Sequence, residues 1–105
     1  MAETLIEKQH RFTMMIADLL QFADREGYMV TGSDWYRDSR CGYGHPASLH
    51  RLRLAFDINI FKDGRFLTRT EDHLILGTFW ESMGGTWGGR WGDGNHYSLE
   101  HKGIK

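Results

Sequence analysis

This sequence has a single cysteine, and it has neither an excess of charge of one sign nor a long apolar run. Cys41 is the only cysteine, which excludes an intramolecular disulfide and fits folding in a reducing cytoplasm. The 13 basic and 14 acidic residues nearly cancel, so no basic excess can neutralise phosphates, and we expect no nucleic-acid partner. No run approaches the roughly 20 apolar residues that span a bilayer, so we expect no membrane insertion.

The amino-terminal residues also lack the pattern of a secretory signal. The stretch Met-Ala-Glu-Thr-Leu-Ile-Glu-Lys is charged and has no apolar core, so we expect no signal peptide and a protein that stays in the cytoplasm after synthesis. Hydrophobic residues make up 40% of the chain, which is typical of a globular protein. The length predicts a single domain over residues 1–105, which we expect to be a monomer.

The hydrophobic pattern predicts an α+β fold in which a small antiparallel sheet packs on helices. Capping-box spacing of Thr4 with Glu7, and of Thr68 with Glu71, marks the starts of two helices. Asp63-Gly64 is typical of a two-residue hairpin turn. The predicted elements are a helix at 4–26, a strand at 28–31, a loop at 32–49, a hairpin of strands 54–61 and 66–67, a helix at 70–83, a glycine-rich loop at 84–94 and a strand at 96–100.

Four polar residues in two segments have the chemistry of a metal site. His50 and Asp57 lie in the middle of the chain, and Asp93 and His96 lie in Asp-Gly-Asn-His near its end. Two histidines and one carboxylate form a three-ligand set suited to a catalytic zinc with one open position. The second carboxylate would then be free to act as a base.

Asp57 interrupts an otherwise apolar strand. Strand alternation places Ala55, Asp57 and Asn59 on the face opposite Phe56 and Ile58. A buried carboxylate needs a partner, and a metal would provide one. Because an extended chain from residue 50 to residue 57 would span more than roughly 20 Å, the backbone must turn between the two for both to reach one metal.

Taken together, these motifs resemble a known family of zinc peptidases. Ser48-x-His50, Ala55-x-Asp57 and Asp93-x-x-His96 are similar to the motifs of the D-alanyl-D-alanine carboxypeptidases and L-alanyl-D-glutamate endopeptidases. These enzymes cleave peptidoglycan stem peptides, and many are phage endolysins. The resemblance covers residues 28–101 and implies a fold like that of DD-peptidases and hedgehog domains.

The resemblance also implies a role for each residue. Zinc would be held by His50, Asp57 and His96, with Asp93 as the general base for the attacking water. Arg37, in a segment that looks like the family's Tyr-Arg-Ser, would stabilise the oxyanion or hold a substrate carboxylate. Ser48 would contact substrate or support a ligand. A phage enzyme of this kind would remain in the host cytoplasm until lysis and then reach the cell wall.

Three positions depart from the family pattern, and at one of them Asp38 displaces the serine of the Tyr-Arg-Ser segment, which bears on the contacts around Arg37. The glycine between the first two ligand motifs is Arg53 here, so the backbone between His50 and Asp57 is an open question. The downstream acid is Asp93 and not glutamate, which favours the endopeptidase branch and therefore the L-Ala–D-Glu bond.

Three other functions remain open from the sequence. The chain could be a D-Ala–D-Ala carboxypeptidase, or a zinc-stabilised wall-binding domain without activity. A metal-dependent nuclease is a further alternative, because Asp-Gly-Asn-His is similar to part of a His-Asn-His module, although the near-neutral charge argues against it. Trp87 and Trp91 could form an aromatic wall for substrate or pack in the core.

Overall fold

The computed structural model describes residues 2–33, 35–36 and 48–105. Within them, two α-helices and a five-stranded antiparallel sheet confirm the predicted α+β fold. The elements are α1 (Leu5–Arg25), β1 (Met29–Gly32), β2 (Ala55–Lys62), β3 (Arg65–Leu67), α2 (Leu74–Ser82), β4 (Thr86–Trp87) and β5 (His96–Ser98), with 3₁₀ turns at Leu49–Leu52, Thr70–His73 and Gly88–Trp91.

Helix α1 has the ends that the sequence predicts. Thr4 accepts a hydrogen bond from the Glu7 backbone N–H, and Glu7 accepts one from the Thr4 N–H, so both partners of the capping box are present. Gly27 follows the helix with a φ of 90°, a conformation that costs glycine little. The stripe formed by Phe12, Ile16 and Leu19 is buried, which anchors α1 to the core.

Strand β2 is the centre of the sheet. The strand order is β1-β2-β5-β4, and β3 pairs with β2 along the edge that β5 also uses. Strands β2 and β3 form the predicted hairpin, with Asp63 and Gly64 both at positive φ, as a type I′ turn requires. Phe56, Ile58 and Ile60 are buried, whereas Asp57 and Asn59 are partly exposed, as the alternation predicts.

The second half of the chain differs from the prediction in two places. The predicted helix at 70–83 begins as a 3₁₀ turn, and only Leu74–Ser82 is α-helical. Its capping carboxylate is Asp72, which accepts from the Arg69 N–H at 3.0 Å, so the predicted pairing of Thr68 with Glu71 is wrong. The predicted loop at 84–94 contains β4, because Thr86 and Trp87 pair with β5.

Trp80 joins α2 to the sheet. Its ring is fully buried, and its Nε1 donates to the Ser98 and Thr86 carbonyls at 3.0 and 3.1 Å. This satisfies the polar atom of a large core side chain, which burial would otherwise penalise. Within the described residues, no helix is long and apolar enough to cross a membrane.

Gly77 lets α2 pack directly against Trp87. A Cβ atom at position 77 would lie 2.1 Å from the Trp87 ring, well inside van der Waals contact. We therefore expect Gly77→Ala to destabilise the protein by about 1–3 kcal/mol through overpacking, although alanine is the better helix former. Urea unfolding measures this. Thr78→Ala, at an exposed position of the same helix, is the control and should be neutral or stabilising; equal effects of the two changes would contradict the packing argument.

His73 should make stability depend on pH. Burial lowers its pKa to about 4, with the charge of Asp72 acting weakly in the opposite direction, and its Nδ1 lies 2.8 Å from the Tyr97 hydroxyl. From pH 6.5 down to 4 the unfolded chain therefore takes up a proton at His73 that the folded chain does not. The free energy of unfolding should fall over this range by up to ~3 kcal/mol.

The measurement is urea unfolding of metal-free protein across this pH range. His73→Gln should remove the fall in the free energy of unfolding between pH 6.5 and 4, whereas His10→Gln, at an exposed position of α1, should keep it. If the free energy of unfolding of His73→Gln depends on pH as that of the wild type does, His73 is not the titrating group.

Candidate metal centre

Three side chains from separate segments meet at one point of the fold. His50 lies in the 3₁₀ turn Leu49–Leu52, Asp57 lies in β2, and His96 is the first residue of β5. Each offers one ligand atom, and these atoms all lie within 4.8 Å of one another. The structure therefore brings together the three residues that the sequence predicts as ligands, and they could bind a metal ion.

Two of the three donor separations fit a tetrahedral ion. His50 Nε2 and His96 Nδ1 each lie 3.4 Å from Asp57 Oδ1. Two ligands bound at about 2.0–2.1 Å in tetrahedral geometry are themselves roughly 3.3–3.4 Å apart. The distances to Asp57 are thus those expected between ligands of one metal.

The polar atoms of this cluster are buried without ordinary partners. The exposed fractions of His50 and His96 are 3% and 8%. Among the described residues, Asp57 Oδ1 has no hydrogen-bond partner, and neither has His50 Nδ1 or His96 Nε2. A buried carboxylate oxygen left in this state is costly, so the site favours a cation at Asp57 Oδ1.

The electrostatics of Asp57 also favour a ligand role. Burial alone would raise the pKa of its carboxyl, but the neighbouring His50 and His96 imidazoles outweigh that effect and lower the pKa to about 2. Asp57 is therefore an anion at neutral pH, the form that binds a metal.

The 3₁₀ turn that carries His50 is fixed at both ends. Ser48 Oγ accepts a hydrogen bond from the His50 N–H at 3.2 Å and so caps the turn. Arg53 ends it with a φ of 56° and a ψ of 38°, the left-handed conformation that favours glycine. The predicted reversal between His50 and Asp57 occurs here, and Arg53 keeps the backbone that a glycine would adopt. A contact of Ser48 with substrate stays a prediction.

Asp57 and His96 are brought together by strand register. They are directly opposed residues of the antiparallel pair β2 and β5, so their side chains lie on the same face. A slip of one residue would turn one of them to the other face. This pairing explains how residues 39 positions apart in the sequence belong to one site.

The turn before β5 places Asp93 close to the centre. The Asp93 N–H donates to the Gly88 carbonyl at 2.9 Å, and the His96 N–H donates to the Asp93 carbonyl at 3.1 Å. A Cβ at Gly88 would lie 2.3 Å from the backbone carbonyl oxygen of Asp93, so this close approach requires glycine. Asp93 is exposed and is not part of the three-ligand cluster among the described residues; its role as a base stays a prediction.

The two tryptophans of the glycine-rich segment have different environments. Trp87 is buried, and its Nε1 donates to the Gly94 carbonyl at 2.8 Å. The Trp91 ring is half-exposed and lies 5.8 Å from the His96 ring, measured between centroids. Trp87 is thus a core residue, and Trp91 can form one side of the site.

Other side chains with suitable chemistry are not placed at the centre. Arg37, the predicted oxyanion or carboxylate contact, lies outside the described residues, as do Cys41 and His45. His73 is buried beside Tyr97, and His10 is exposed on α1.

Sequence reasoning missed a cleft beside the centre. It has a volume of about 210 Å³, and its lining includes Asn59, Thr70, Asp93 and Asn95. The alternation in β2 places Asn59 on the same face as Asp57, and that is the signal that could have indicated it.

Comparison with known proteins identifies the family. The chain matches the family model described as D-alanyl-D-alanine carboxypeptidase over residues 42–99, more than half of its length. The matched region contains His50, Asp57, Asp93 and His96, whereas Arg37 lies before it. No curated protein matches the chain significantly. The family match extends across all three potential ligands, which form one cluster in the structure. The chain therefore belongs to the D-alanyl-D-alanine carboxypeptidase family of peptidases.

Proposed function

We propose that this protein is a zinc-dependent peptidase that hydrolyses a stem-peptide bond of peptidoglycan. The observation that carries the proposal is the cluster of His50, Asp57 and His96, in which both histidine nitrogens lie 3.4 Å from Asp57 Oδ1, the separation expected of two zinc ligands. The description of the matched family, D-alanyl-D-alanine carboxypeptidase, supports peptidoglycan stem peptides as the substrate class.

The chemistry of the donors supports zinc over harder cations. Two imidazole nitrogens and one carboxylate oxygen suit zinc, whereas magnesium and calcium prefer sites made only of oxygen ligands. Three protein ligands leave a coordination position open, as in catalytic zinc sites, and structural zinc sites usually have four. This ligand count also favours an enzyme over a zinc-stabilised binding domain.

The chain itself would supply the proton transfers and the substrate contacts. Bound zinc would polarise the scissile carbonyl and acidify the attacking water. Asp93 would accept the proton of that water and pass it to the leaving amine. Arg37 would hold the oxyanion or a substrate carboxylate through paired N–H donors. Ser48 keeps His50 in place through its backbone N–H.

Within this activity, we assign the L-Ala–D-Glu bond as the target. Support comes from Asp93, because aspartate at this position resembles the endopeptidase branch. The second candidate is a D-Ala–D-Ala carboxypeptidase, which the description of the matched family favours. Mass spectrometry of digested peptidoglycan distinguishes them: the endopeptidase frees an amino group on D-Glu, and the carboxypeptidase releases D-alanine.

The biological setting that we propose is a phage endolysin. The short chain and its motifs resemble those enzymes, which stay in the host cytoplasm until the membrane is opened at lysis. Expression with and without a membrane-permeabilising partner tests this, because cells should lyse only when both are present.

Zinc should stabilise the metal-free protein. Free zinc at 100 times its dissociation constant should add about 2.7 kcal/mol to the free energy of unfolding. His50→Ala and His96→Ala should each abolish the resulting rise in melting temperature, and His10→Ala, at an exposed histidine, should not. Zinc stabilisation that survives in His50→Ala and His96→Ala would place the metal elsewhere.

Removing the Asp93 carboxylate should stop catalysis without releasing the metal. Asp93→Ala and Asp93→Asn should lower kcat by roughly 10²- to 10⁴-fold, the usual contribution of a general base. Their zinc content and melting temperature should remain those of the wild type. Asp18→Asn, at an exposed position of α1, is the control for loss of one negative charge. Full wall lysis by Asp93→Ala would refute this mechanism.

A further inference from the structure

A polar cleft lies next to the candidate metal centre, in a gap of the sheet. Strand β3 pairs with residues 60–62 of β2, and β5 pairs with residues 55–57 along the same edge. Between them, the Ile58 N–H donates to the Asn95 carbonyl at 3.0 Å, and the edge then opens at Asn59. The cleft therefore results from the way that β3 and β5 pair with β2.

The cleft borders one of the proposed catalytic groups. Asp93 contributes to its lining. Asn59 lies two residues beyond Asp57 on the same strand face, a distance of roughly 6.5 Å along the chain. A substrate whose scissile bond lies at the metal centre would thus extend its next residues towards this cleft.

Two amide side chains in the cleft have unused hydrogen-bonding capacity. Asn59 and Asn95 both line it and are both partly buried. Among the described residues, neither side-chain amide has a hydrogen-bond partner. Each amide offers a carbonyl acceptor and an N–H donor, the same pair of groups that a peptide bond presents.

The charge in the cleft is balanced, which favours neutral groups. Among the described lining residues the one Lys or Arg is Arg69, whose Nε lies 3.7 Å from Glu71 and 4.0 Å from Asp72. Asp93 is the one acidic residue in the described part of the lining. The cleft therefore offers a ligand hydrogen bonds and not a net charge. The backbone amides of a peptide suit such a lining better than a free carboxylate does.

The size and rigidity of the cleft fit a short peptide. Its volume of about 210 Å³ is below the roughly 300–1,000 Å³ of pockets for drug-sized ligands. One wall is fixed, because the Gly94 N–H donates to Thr70 Oγ1 at 3.2 Å, and a Cβ at Gly94 would lie 2.6 Å from the Thr70 Cα. A fixed wall reduces the ordering cost of binding.

We propose that this cleft is a substrate subsite in which Asn59 and Asn95 hydrogen-bond the backbone of the stem peptide beside the scissile bond. The proposal rests on the proposed function for the identity of the peptide. It makes Asn59 and Asn95 specificity-determining residues, because their amides would select for a peptide that continues past the cleaved bond.

The test measures peptide binding apart from hydrolysis. A soluble stem tetrapeptide is titrated into metal-free protein held in chelator, and the dissociation constant is read from NMR amide shifts. In the wild type, the shifts should concentrate at Asn59, Thr70 and residues 93–95. Asn59→Ala and Asn95→Ala should each weaken binding by about two- to tenfold, the effect of losing one neutral hydrogen bond. Gln21→Ala removes an exposed amide from α1 and should bind as the wild type does.

Each outcome decides the proposal. Unchanged affinity in both asparagine variants, shifts confined to other residues, or no binding by the wild type would overturn it. If Asn59→Ala fails to fold, Asn95→Ala and the wild-type shift map still decide. Hydrolysis by the zinc-loaded wild type is measured separately. If the wild type cleaves the peptide and both asparagine variants bind it with wild-type affinity, the subsite is refuted and the proposed function is not. Binding without any cleavage refutes the proposed function and keeps the subsite.

Discussion

The candidate site depends on the antiparallel pairing of β2 with β5. This register sets Asp57 opposite His96, and it does so in strands whose neighbouring residues, Phe56 and Tyr97, are buried on the other face. Register and core packing are therefore coupled: a slip that separated the two ligands would also expose apolar side chains or bury polar ones. The hydrophobic effect, which favours one register strongly, thus also fixes the distance between two potential ligands.

The glycine-rich segment adds the second constraint. It must bring Asp93 close to His96 and still cover Trp87, which leaves space for no side chain at Gly88. Hydrogen bonds from Trp87 Nε1 to the Gly94 carbonyl, and from Gly94 to Thr70, satisfy buried polar groups of this segment. The same contacts form one wall of the cleft at Asn59. Core packing, the turn before β5 and the proposed subsite therefore share one set of interactions.

Several local features of the structure followed from the sequence, and the motif spacing indicated the three potential ligands, but the environment of the glycine-rich segment, which distant contacts set, did not follow. The capping box at Thr4 and the turn at Asp63-Gly64 depend on neighbouring residues only, and both were predictable. Periodicity placed Asp57 on the polar face of its strand, because alternation is also local. By contrast, β4 exists because Thr86 and Trp87 pair with β5, and the different environments of Trp87 and Trp91 arise from packing against α2 and His96. Spacing within the segment 84–94 cannot reveal such contacts.

Arg53 shows that the site requires a backbone conformation rather than a particular residue. Its left-handed φ of 56° costs a residue with a Cβ roughly 1–2 kcal/mol relative to the right-handed region, which is why glycine suits the position. The Arg53 guanidinium lies 4.2 Å from the centre of the Tyr36 ring, a cation–π contact that contributes about 0.5–1 kcal/mol at an exposed site. The side chain thus offsets part of the strain that its own Cβ creates. Because the reversal between His50 and Asp57 is kept, the departure from glycine leaves the geometry of the candidate ligands intact.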